Sequence, residues 1–240
     1  MTGTGTRIIC GTSGFSFAEW KGSFYPEGLA GDAMLAFYGR ELPVVEINNT
    51  FYRLPSPRIL GEWAAAVPET FRFCLKASQR ITHYARLAGA KELVDRFFFA
   101  KQALGPKAGP SLFQLPPQIK KDVGRLRAFF DDVPVGERLV FELGSRSWFD
   151  DEVYEVLRSR GATACIVDDE KRPMTLVRTA PFAYLRLRRP EYTDAELQGW
   201  LTALNDAGYE EAFVFFKHEE AGAGPRLAKR MLALAQPISA

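Results

Sequence analysis

Residues 44–55 read VVEINNTFYRLP, and this stretch guides the interpretation of the whole chain. Its apolar start predicts a buried strand, in which Glu46 lies two positions after Val44. Because side chains two residues apart lie on the same face of a strand, Glu46 is expected on the same face as Val44. A buried strand that ends in a carboxylate and two amides, those of Asn48 and Asn49, is typical of a strand whose end faces a site.

The same ending recurs in five further predicted strands, each with a polar residue two positions after an apolar one. The pairs are Cys74 with Lys76, Leu112 with Gln114, Val140 with Glu142, Ile166 with Asp168, and Tyr184 with Arg186. Parallel strands bring their C-terminal ends together around one pocket. The pattern therefore predicts a single polar site at the C-terminal ends of the strands.

Eight apolar segments alternate with helical or near-helical segments along the chain. Strands are predicted at 7–10, at the start of 44–55, and at 71–76, 111–115, 138–143, 163–168, 182–187 and 212–216. Helices are predicted at 30–40, 57–67, 91–104, 122–130, 151–160, 194–208 and 226–235, with at most a short one in 169–180. Residues 11–14 are predicted as a tight turn and 77–87 as a loop.

Eight strand–helix units predict a single (β/α)8 TIM-type barrel over residues 7–240, preceded by a flexible tail at 1–6. An open doubly wound sheet is the alternative fold. It is less favoured because no GxGxxG motif follows the first strand, no Walker A motif occurs, and no change in composition divides the chain. The absence of these motifs also gives no reason to predict a cofactor.

Composition narrows the class of protein. The 240 residues carry a net charge of +2, and the pI of about 8.4 does not favour nucleic acid as a partner. The sequence has no run of about 18 apolar residues and no signal-peptide core, so neither a membrane span nor secretion is predicted. Cys10, Cys74 and Cys165 lie in separate predicted strands and are expected to be buried free thiols of a cytoplasmic protein.

Several motifs together resemble the YecE-like family, a widespread bacterial domain of unknown function. They are GTSGFSF at 11–17, WKG at 20–22, FYP at 24–26, VEINNTFYR at 45–53, FRF at 71–73, KAS at 76–78, ITH at 81–83, LFQLPP at 112–117, FE at 141–142 and RSWF at 146–149. The resemblance implies a TIM-type barrel and a bacterial cytosolic protein, and it implies no particular reaction.

Two segments depart from the family pattern. After the last strand the family usually has an Asn-rich stretch, whereas residues 215–220 here read FFKHEE. After the preceding strand the family often has a longer loop, whereas residues 187–190 here read LRRP and the loop is short. These departures predict a changed or lost specificity on that side of the barrel.

The polar strand ends have two interpretations. They form either a substrate pocket or a self-neutralising ion network that fills the barrel. In the first interpretation, which we favour because such networks seldom stabilise a core, Glu46 and Glu142 act as general acid and base. Lys76 is then either a nucleophile or, preferably, a charge partner of these glutamates. Arg146 and Arg186 suit an anionic group of the substrate.

Further residues are candidates for binding a substrate. They are Trp20, Asn48, Tyr52, His83, Gln114 and Asp168. Aromatic residues of the first two strand-end loops could stack on a ligand, although they more often pack loops against a barrel. A phosphate site at Gly222 and Gly224 is disfavoured by Pro225 and by the nearby Glu219 and Glu220.

The sequence predicts an enzyme acting on a small, polar, anionic organic molecule, with no metal. Its oligomeric state is left open. A non-catalytic ligand-binding or sensor protein is one alternative. A metal-dependent hydrolase or nuclease is another, which would use Glu46, Glu142 and Asp168 with His83 or His218.

Overall fold

Nine parallel strand segments surround a common interior in the computed structural model, which describes residues 5–169, 176–217 and 222–236. The strands are β1 (Arg7–Ser13), β2 (Val44–Ile47), β3 (Arg72–Lys76), β4 (Ala108–Leu115), β5 (Leu139–Leu143), β6 (Thr163–Ala164), β7 (Ile166–Asp168), β8 (Phe182–Leu187) and β9 (Glu211–Phe216). The helices are α1 (Met34–Glu41), α2 (Pro57–Ala65), α3 (Lys91–Lys101), α4 (Val123–Asp132), α5 (Asp151–Ser159), α6 (Asp194–Asp206) and α7 (Ala223–Ala235).

The sheet closes on itself through one interrupted strand. Its order is β6-β5-β4-β3-β2-β1-β9-β8-β7, so the two terminal segments are β6 and β7, which only Cys165 separates along the chain. The Cys165 N–H donates to Phe141 O at 2.8 Å, which continues the pairing with β5. The predicted strand 163–168 thus forms two segments, and the predicted α/β barrel is confirmed.

Strand β1 is longer than the sequence suggested, because it continues through Gly11 to Ser13. The predicted tight turn at 11–14 is therefore wrong for its first three residues. Glycine suggested a turn, but Gly11 is needed for close packing, since a Cβ there would lie 1.9 Å from Val44 O. The extension matters for function because it brings Ser13 beside Glu46 in the register of β1 and β2.

Side-chain caps begin several helices where the sequence predicted them. Ser56 Oγ accepts from the Ile59 N–H at the start of α2, and Asp150 Oδ1 accepts from the Glu152 N–H at the start of α5. Thr193 and Glu196 form the predicted capping box of α6. These caps satisfy N–H groups that have no partner within the helix, which fixes where each helix begins.

Some element boundaries differ from the prediction. The helix predicted at 30–40 is a 3-10 turn, Gly31–Ala33, followed by α1. Helix α3 ends at Lys101, and a 3-10 segment with Gly105 at φ +54° follows it. The predicted loop 77–87 contains a π-helical turn, Arg80–Tyr84. Of the segment 169–180, residues 170–175 lie outside the described residues, as do 1–4 of the predicted tail.

The interior of the barrel is apolar below the polar strand ends. Its buried side chains include Val44, Cys74, Leu112, Val140, Cys165, Val167, Tyr184, Phe213 and Phe215. Ile166 instead packs in the outer layer between strands and helices, so the predicted inward orientation of Ile166 and Asp168 is wrong. Parallel barrel strands are apolar on both faces, and a period of two therefore does not show which face is inward.

All three cysteines are buried and free, as predicted. Cys74 and Cys165 lie in the barrel interior, whereas Cys10 packs in the outer layer. Across the ranges that the structure describes, we find no helix with the length and apolar character needed to cross a membrane.

Candidate functional site

Three polar strand ends meet inside the C-terminal mouth of the barrel. Arg186, which follows Tyr184 on the inner face of β8, donates from Nη2 to Glu46 Oε1 at 2.7 Å and from Nη1 to Glu142 Oε2 at 2.6 Å. All three side chains are almost completely buried. The arginine therefore connects strands β2, β5 and β8, which are not neighbours in the sheet.

Glu46 is held by three neutral groups in addition to Arg186. Ser13 Oγ and Tyr184 OH donate to its carboxylate at 2.7 Å each, and Asn48 Nδ2 donates at 3.1 Å. Burial alone would raise the pKa of Glu46, but Arg186 and these hydrogen bonds hold that pKa below its usual value. Glu46 is therefore ionised at neutral pH.

Glu142 has a similar environment with one more cation. Gln114 Nε2 donates to Oε1 at 2.8 Å, and Arg188 Nη2 lies 3.1 Å from Oε2. Burial opposes ionisation, but Arg186 and Arg188 together lower the pKa of Glu142 to about 2. Neither glutamate therefore carries a proton to donate near pH 7. Their predicted acid–base role stays a prediction, and this geometry does not favour it.

An open cavity of about 600 Å³ lies above this ion network. Its cationic lining residues are Lys76, Arg186, Arg188 and Lys217. No carboxylate lines it among the residues that the structure describes. The two interpretations of the strand ends are thus both partly realised, because a mutual ion network forms the floor and a polar cavity remains above it.

Lys76 extends from the end of β3 into the cavity. Its side chain is 9% exposed, and Nζ lies 4.1 Å from the centroid of the Phe51 ring. Within the described ranges Lys76 makes no ion pair, so the preferred role as a charge partner of the glutamates is not supported by contacts. Burial first, and then Arg186, lower the pKa of Lys76 to about 8, although Glu46 and Glu142 oppose the shift.

The remaining walls combine amides, hydroxyls and aromatic rings. The polar lining residues are Ser13, Ser16, Asn48, Asn49 and Gln114. The aromatic lining residues are Phe15, Phe17, Tyr52 and Trp63. Tyr52 is 72% exposed at the rim, so its ring is available to a ligand. Trp20 is buried against Phe17 and Tyr25 and packs the first loop onto the barrel.

Six predicted site residues do not line the cavity: Glu46 and Glu142, which lie beneath it in the ion network, and Trp20, His83, Arg146 and Asp168. Arg146 is exposed on a 3-10 turn that follows β5. Asp168 points away from the interior and accepts from Arg189 Nε at 3.1 Å. Arg189 in turn bonds Glu196, so this ion pair joins the loop after β8 to α6.

The histidines and acids do not gather into a metal site within the part of the chain that the structure describes. His83 Nδ1 lies 2.9 Å from Thr82 Oγ1, and its ring packs edge-on against Phe51. Burial and the nearby Lys76 lower the pKa of His83. His218, Glu219 and Glu220 lie outside the described residues.

Gly222 and Gly224, which were considered for phosphate binding, lie at the start of a helix. Gly222, at φ +72°, precedes α7, and Gly224 and Pro225 lie in its first turn. All three residues are buried, and none of them lines the cavity. The geometry thus gives no support to a phosphate site there, which the sequence also disfavoured.

Of the lining residues that the predicted site lacked, three were missed because the period-two pattern was followed one residue too few along its strand. Ser13 lies two positions after Gly11, Arg188 two after Arg186, and Lys217 two after Phe215. Extending each inner face by one residue beyond the apolar part of the strand would have found them. Arg188 and Lys217 also lie in the two segments that depart from the family pattern, so that side of the barrel does contribute polar groups to the cavity.

Comparison with known proteins agrees with the predicted family. The profile of a family described as "Protein of unknown function DUF72" matches residues 9–239. The chain belongs to the DUF72 family. The predicted YecE-like resemblance is thereby confirmed, and the family description names no reaction.

Relatives of this DUF72 protein occur in several bacteria. The UPF0759 protein YunF of Bacillus subtilis is 26% identical over 260 residues, covering 88% of this chain and 90% of YunF. The UPF0759 protein YecE of Escherichia coli is 33% identical over 105 residues, which is 43% of this chain and 39% of YecE.

Solved DUF72 structures share the barrel. A DUF72 protein from Thermotoga maritima superposes with a TM-score of 0.78 at 28% identity, covering 94% of this chain and 97% of that one. A DUF72 protein from Enterococcus faecalis gives a TM-score of 0.77 at 20% identity, with 95% of each chain covered. The second comparison supports the fold alone.

Proposed function

We propose that the barrel mouth binds a small organic molecule that carries negative charge. One observation carries the proposal: four cationic side chains line one cavity, and no described carboxylate lines it. Among the residues that the structure describes, two carboxylates, those of Glu46 and Glu142, lie in the floor beneath the four cationic lining residues. An anionic ligand would supply the missing negative charge, because excess like charge in a partly buried site is unfavourable.

The dimensions and walls of the cavity support a ligand of metabolite size. A volume of about 600 Å³ lies within the range of about 300–1,000 Å³ typical of small-molecule sites. The amides of Asn48, Asn49 and Gln114 offer both donors and acceptors, while Tyr52 and Trp63 offer apolar faces. The ligand is therefore a carbon skeleton with an anionic group and further polar groups.

In this proposal Glu46 and Glu142 are positioning residues. Each accepts a short hydrogen bond from Arg186, and together they fix the guanidinium across the floor of the cavity. Arg186 Nε has no hydrogen-bond partner among the described residues, although it is buried. A buried donor without an acceptor is unfavourable, so an ordered water molecule that accepts from it would be stabilised there.

A direct test compares charged and uncharged probes of the same shape. Ribose 5-phosphate and ribose are one such pair, and malate with malamide is another. We expect the charged member of at least one pair to raise the melting temperature and to bind in calorimetry, with affinity that falls as salt rises. Equal effects of charged and uncharged members would contradict the proposal.

Substitutions of the cationic lining residues test whether the cavity is the binding site. Arg188→Gln and Lys217→Gln should each weaken binding of the charged probe about tenfold, since a charge-assisted hydrogen bond is lost. Lys91→Gln is the matched control, because Lys91 pairs with Asp95 on the exposed face of α3. Unchanged affinity in both cavity variants would contradict the assignment to this cavity.

A second candidate, a non-catalytic binding protein, is favoured by one observation. Both glutamates are ionised and already bonded, so neither is free to move protons. A catalytic group would then have to come from elsewhere in the cavity, and Lys76 is the residue to examine.

A further inference from the structure

Among the residues that the structure describes, three lysines are buried, and their ammonium groups differ in what they contact. Lys101 Nζ bonds Glu137 Oε2 at 2.6 Å. Lys107 Nζ donates to the carbonyl oxygens of Ala64 and Val67 at 2.7 and 2.8 Å. Lys76 Nζ makes no hydrogen bond and no ion pair in the described ranges, and it lies 4.1 Å from the centroid of the Phe51 ring. Lys76 alone of the three lines the cavity.

A buried lysine without a partner has two possible explanations. Either its charge serves only to attract the ligand, or the amine itself reacts. Arg188 and Lys217 already supply positive charge to the same cavity. A lysine desolvated beside other cations is the usual setting of an amine nucleophile, because both effects favour the neutral form.

We propose that Lys76 forms a Schiff base with the carbonyl carbon of an anionic aldehyde or ketone bound in the barrel mouth. This inference rests on the proposed function and narrows its ligand class. The anionic group lies toward Arg188 and Lys217, and the carbonyl lies at Nζ. The Phe51 ring beside the amine covers one side of it against water.

The reaction balances without any oxidant or second substrate. The neutral amine attacks the carbonyl carbon and forms a C–N bond, and the carbonyl oxygen becomes the hydroxyl of a carbinolamine. Loss of that hydroxyl with one proton releases a water molecule and leaves a C=N bond to Nζ. A protonated imine keeps one positive charge at the position of the original ammonium, so the surrounding electrostatics change little.

The charge state of Lys76 is compatible with this chemistry. Burial, followed by repulsion from Arg186, lowers the pKa of Lys76 to about 8. At pH 7.5 roughly a quarter of such amines are neutral, whereas about 0.1% of ordinary lysines with a pKa near 10.4 are neutral. The fraction able to attack a carbonyl is therefore about 200-fold higher at Lys76 than at a surface lysine.

Reductive trapping tests the proposal on the full chain. The protein is incubated with glyoxylate and sodium cyanoborohydride, and modified lysines are located by peptide mass spectrometry. Acetaldehyde serves as the uncharged counterpart of glyoxylate. We expect glyoxylate to modify Lys76 at least about tenfold faster than exposed lysines such as Lys91, and acetaldehyde to show a smaller preference.

Two controls separate this inference from the proposed function. Lys76→Arg keeps the positive charge and removes the nucleophile, so it should lose the adduct and keep the ability to bind glyoxylate in calorimetry. Wild-type protein that binds glyoxylate but modifies Lys76 no faster than Lys91 would overturn the Schiff base and leave anion binding intact. Fast modification of Lys76 by acetaldehyde and glyoxylate alike, with no anion affinity, would instead contradict the charged ligand.

The pH profile gives an independent readout. Modification of Lys76 should rise with pH and level off above about pH 8, because the amine is then neutral. Modification of Lys91 should keep rising to about pH 10 or beyond. Identical profiles for the two lysines would overturn the proposal, and the melting temperature of Lys76→Arg shows whether that variant is folded.

Discussion

The two ends of the barrel both contain charged side chains, but the described residues that line the two cavities differ in their balance of charge. At the N-terminal end a cavity of about 420 Å³ is lined by Glu137, Glu210, Glu211, Arg138 and Arg160. At the C-terminal end the larger cavity is lined by cations and by no described carboxylate. Balanced charge of the first kind stabilises a structure, whereas an excess of one sign is typical of a site that receives a ligand.

The arginines at the two ends show the same difference. Arg138 bonds Glu211 and stacks over the Phe182 ring, with its guanidinium carbon 4.2 Å from the ring centroid. Arg186 is buried between two carboxylates below an open cavity. The Arg138 side chain is 37% exposed and packs on a ring, whereas that of Arg186 is 4% exposed and lies in the floor of the cavity.

Removing a glutamate should lower the free energy of unfolding far more at the C-terminal end of the barrel than at the N-terminal end. Glu46→Gln leaves the buried Arg186 with one carboxylate fewer, and we expect a loss of about 3–5 kcal/mol in the free energy of unfolding. Glu211→Gln is the matched change at the other end, where both arginine partners are partly exposed, and about 1 kcal/mol is expected there. Urea denaturation of both variants measures the difference, and equal losses would show that the two networks serve the same structural purpose.

The buried lysines should respond to the same substitution with opposite signs. Lys101→Met removes a charge that Glu137 balances and should destabilise the protein by about 3 kcal/mol. Lys76→Met removes an unpaired buried charge and should stabilise the protein by about 2 kcal/mol at pH 7. A destabilised Lys76→Met variant at pH 7 would show that this lysine has a structural role.

The destabilisation of the folded protein by Lys76 should also decrease as the pH rises. Because the pKa of Lys76 is about 8 in the folded protein and lies near 10.4 in an unfolded chain, the unfolded state binds more protons between these values. The penalty of the buried charge is complete below about pH 8 and disappears as the pH rises toward 10. The difference in unfolding free energy between wild type and Lys76→Met should therefore shrink over this range, and a constant difference would contradict the lowered pKa.

Lys217→Gln should have the smallest effect on stability and a large effect on binding. Lys217 is exposed and makes no ion pair in the part of the chain that the structure describes, so its loss should change the free energy of unfolding by less than about 0.5 kcal/mol. Thermal unfolding with and without a charged probe separates the two effects. A variant that loses stability without the probe would place Lys217 among the structural charges.

Much of the site could be predicted from the sequence because barrel strands repeat one simple rule. Glu46, Lys76, Gln114, Glu142 and Arg186 were each found from an apolar residue two positions earlier, and all lie at the mouth. Asp168 was placed on the wrong face, since Ile166 and Val167 are both apolar and either phase fits the pattern. The rule identifies which strands end in polar groups, but it does not fix the face when both are buried.

The sequence could not predict which of those charged side chains would pair with one another. Arg186 and Glu46 are 140 residues apart, and their contact depends on the width and stagger of the closed barrel. For the same reason the sequence could not show that Lys76 would be left without a carboxylate while Arg186 bonds two. The distinction between a filled interior and an open cavity arose only from the positions of the side chains in three dimensions.

The bond from one arginine to two glutamates has a consequence for selectivity. Because Arg186 links β2, β5 and β8, the floor of the cavity is already ordered before any ligand arrives. Binding of a ligand would therefore cost little free energy for rearrangement of the floor, and the affinity would depend on the contacts that the ligand makes with the cavity. Tyr52 and Lys217 lie exposed at the rim, and their side chains would lose conformational freedom when a ligand binds. Under the proposed function, substitutions at the rim would change which ligand binds, while Arg186 and its two glutamates would keep the floor unchanged.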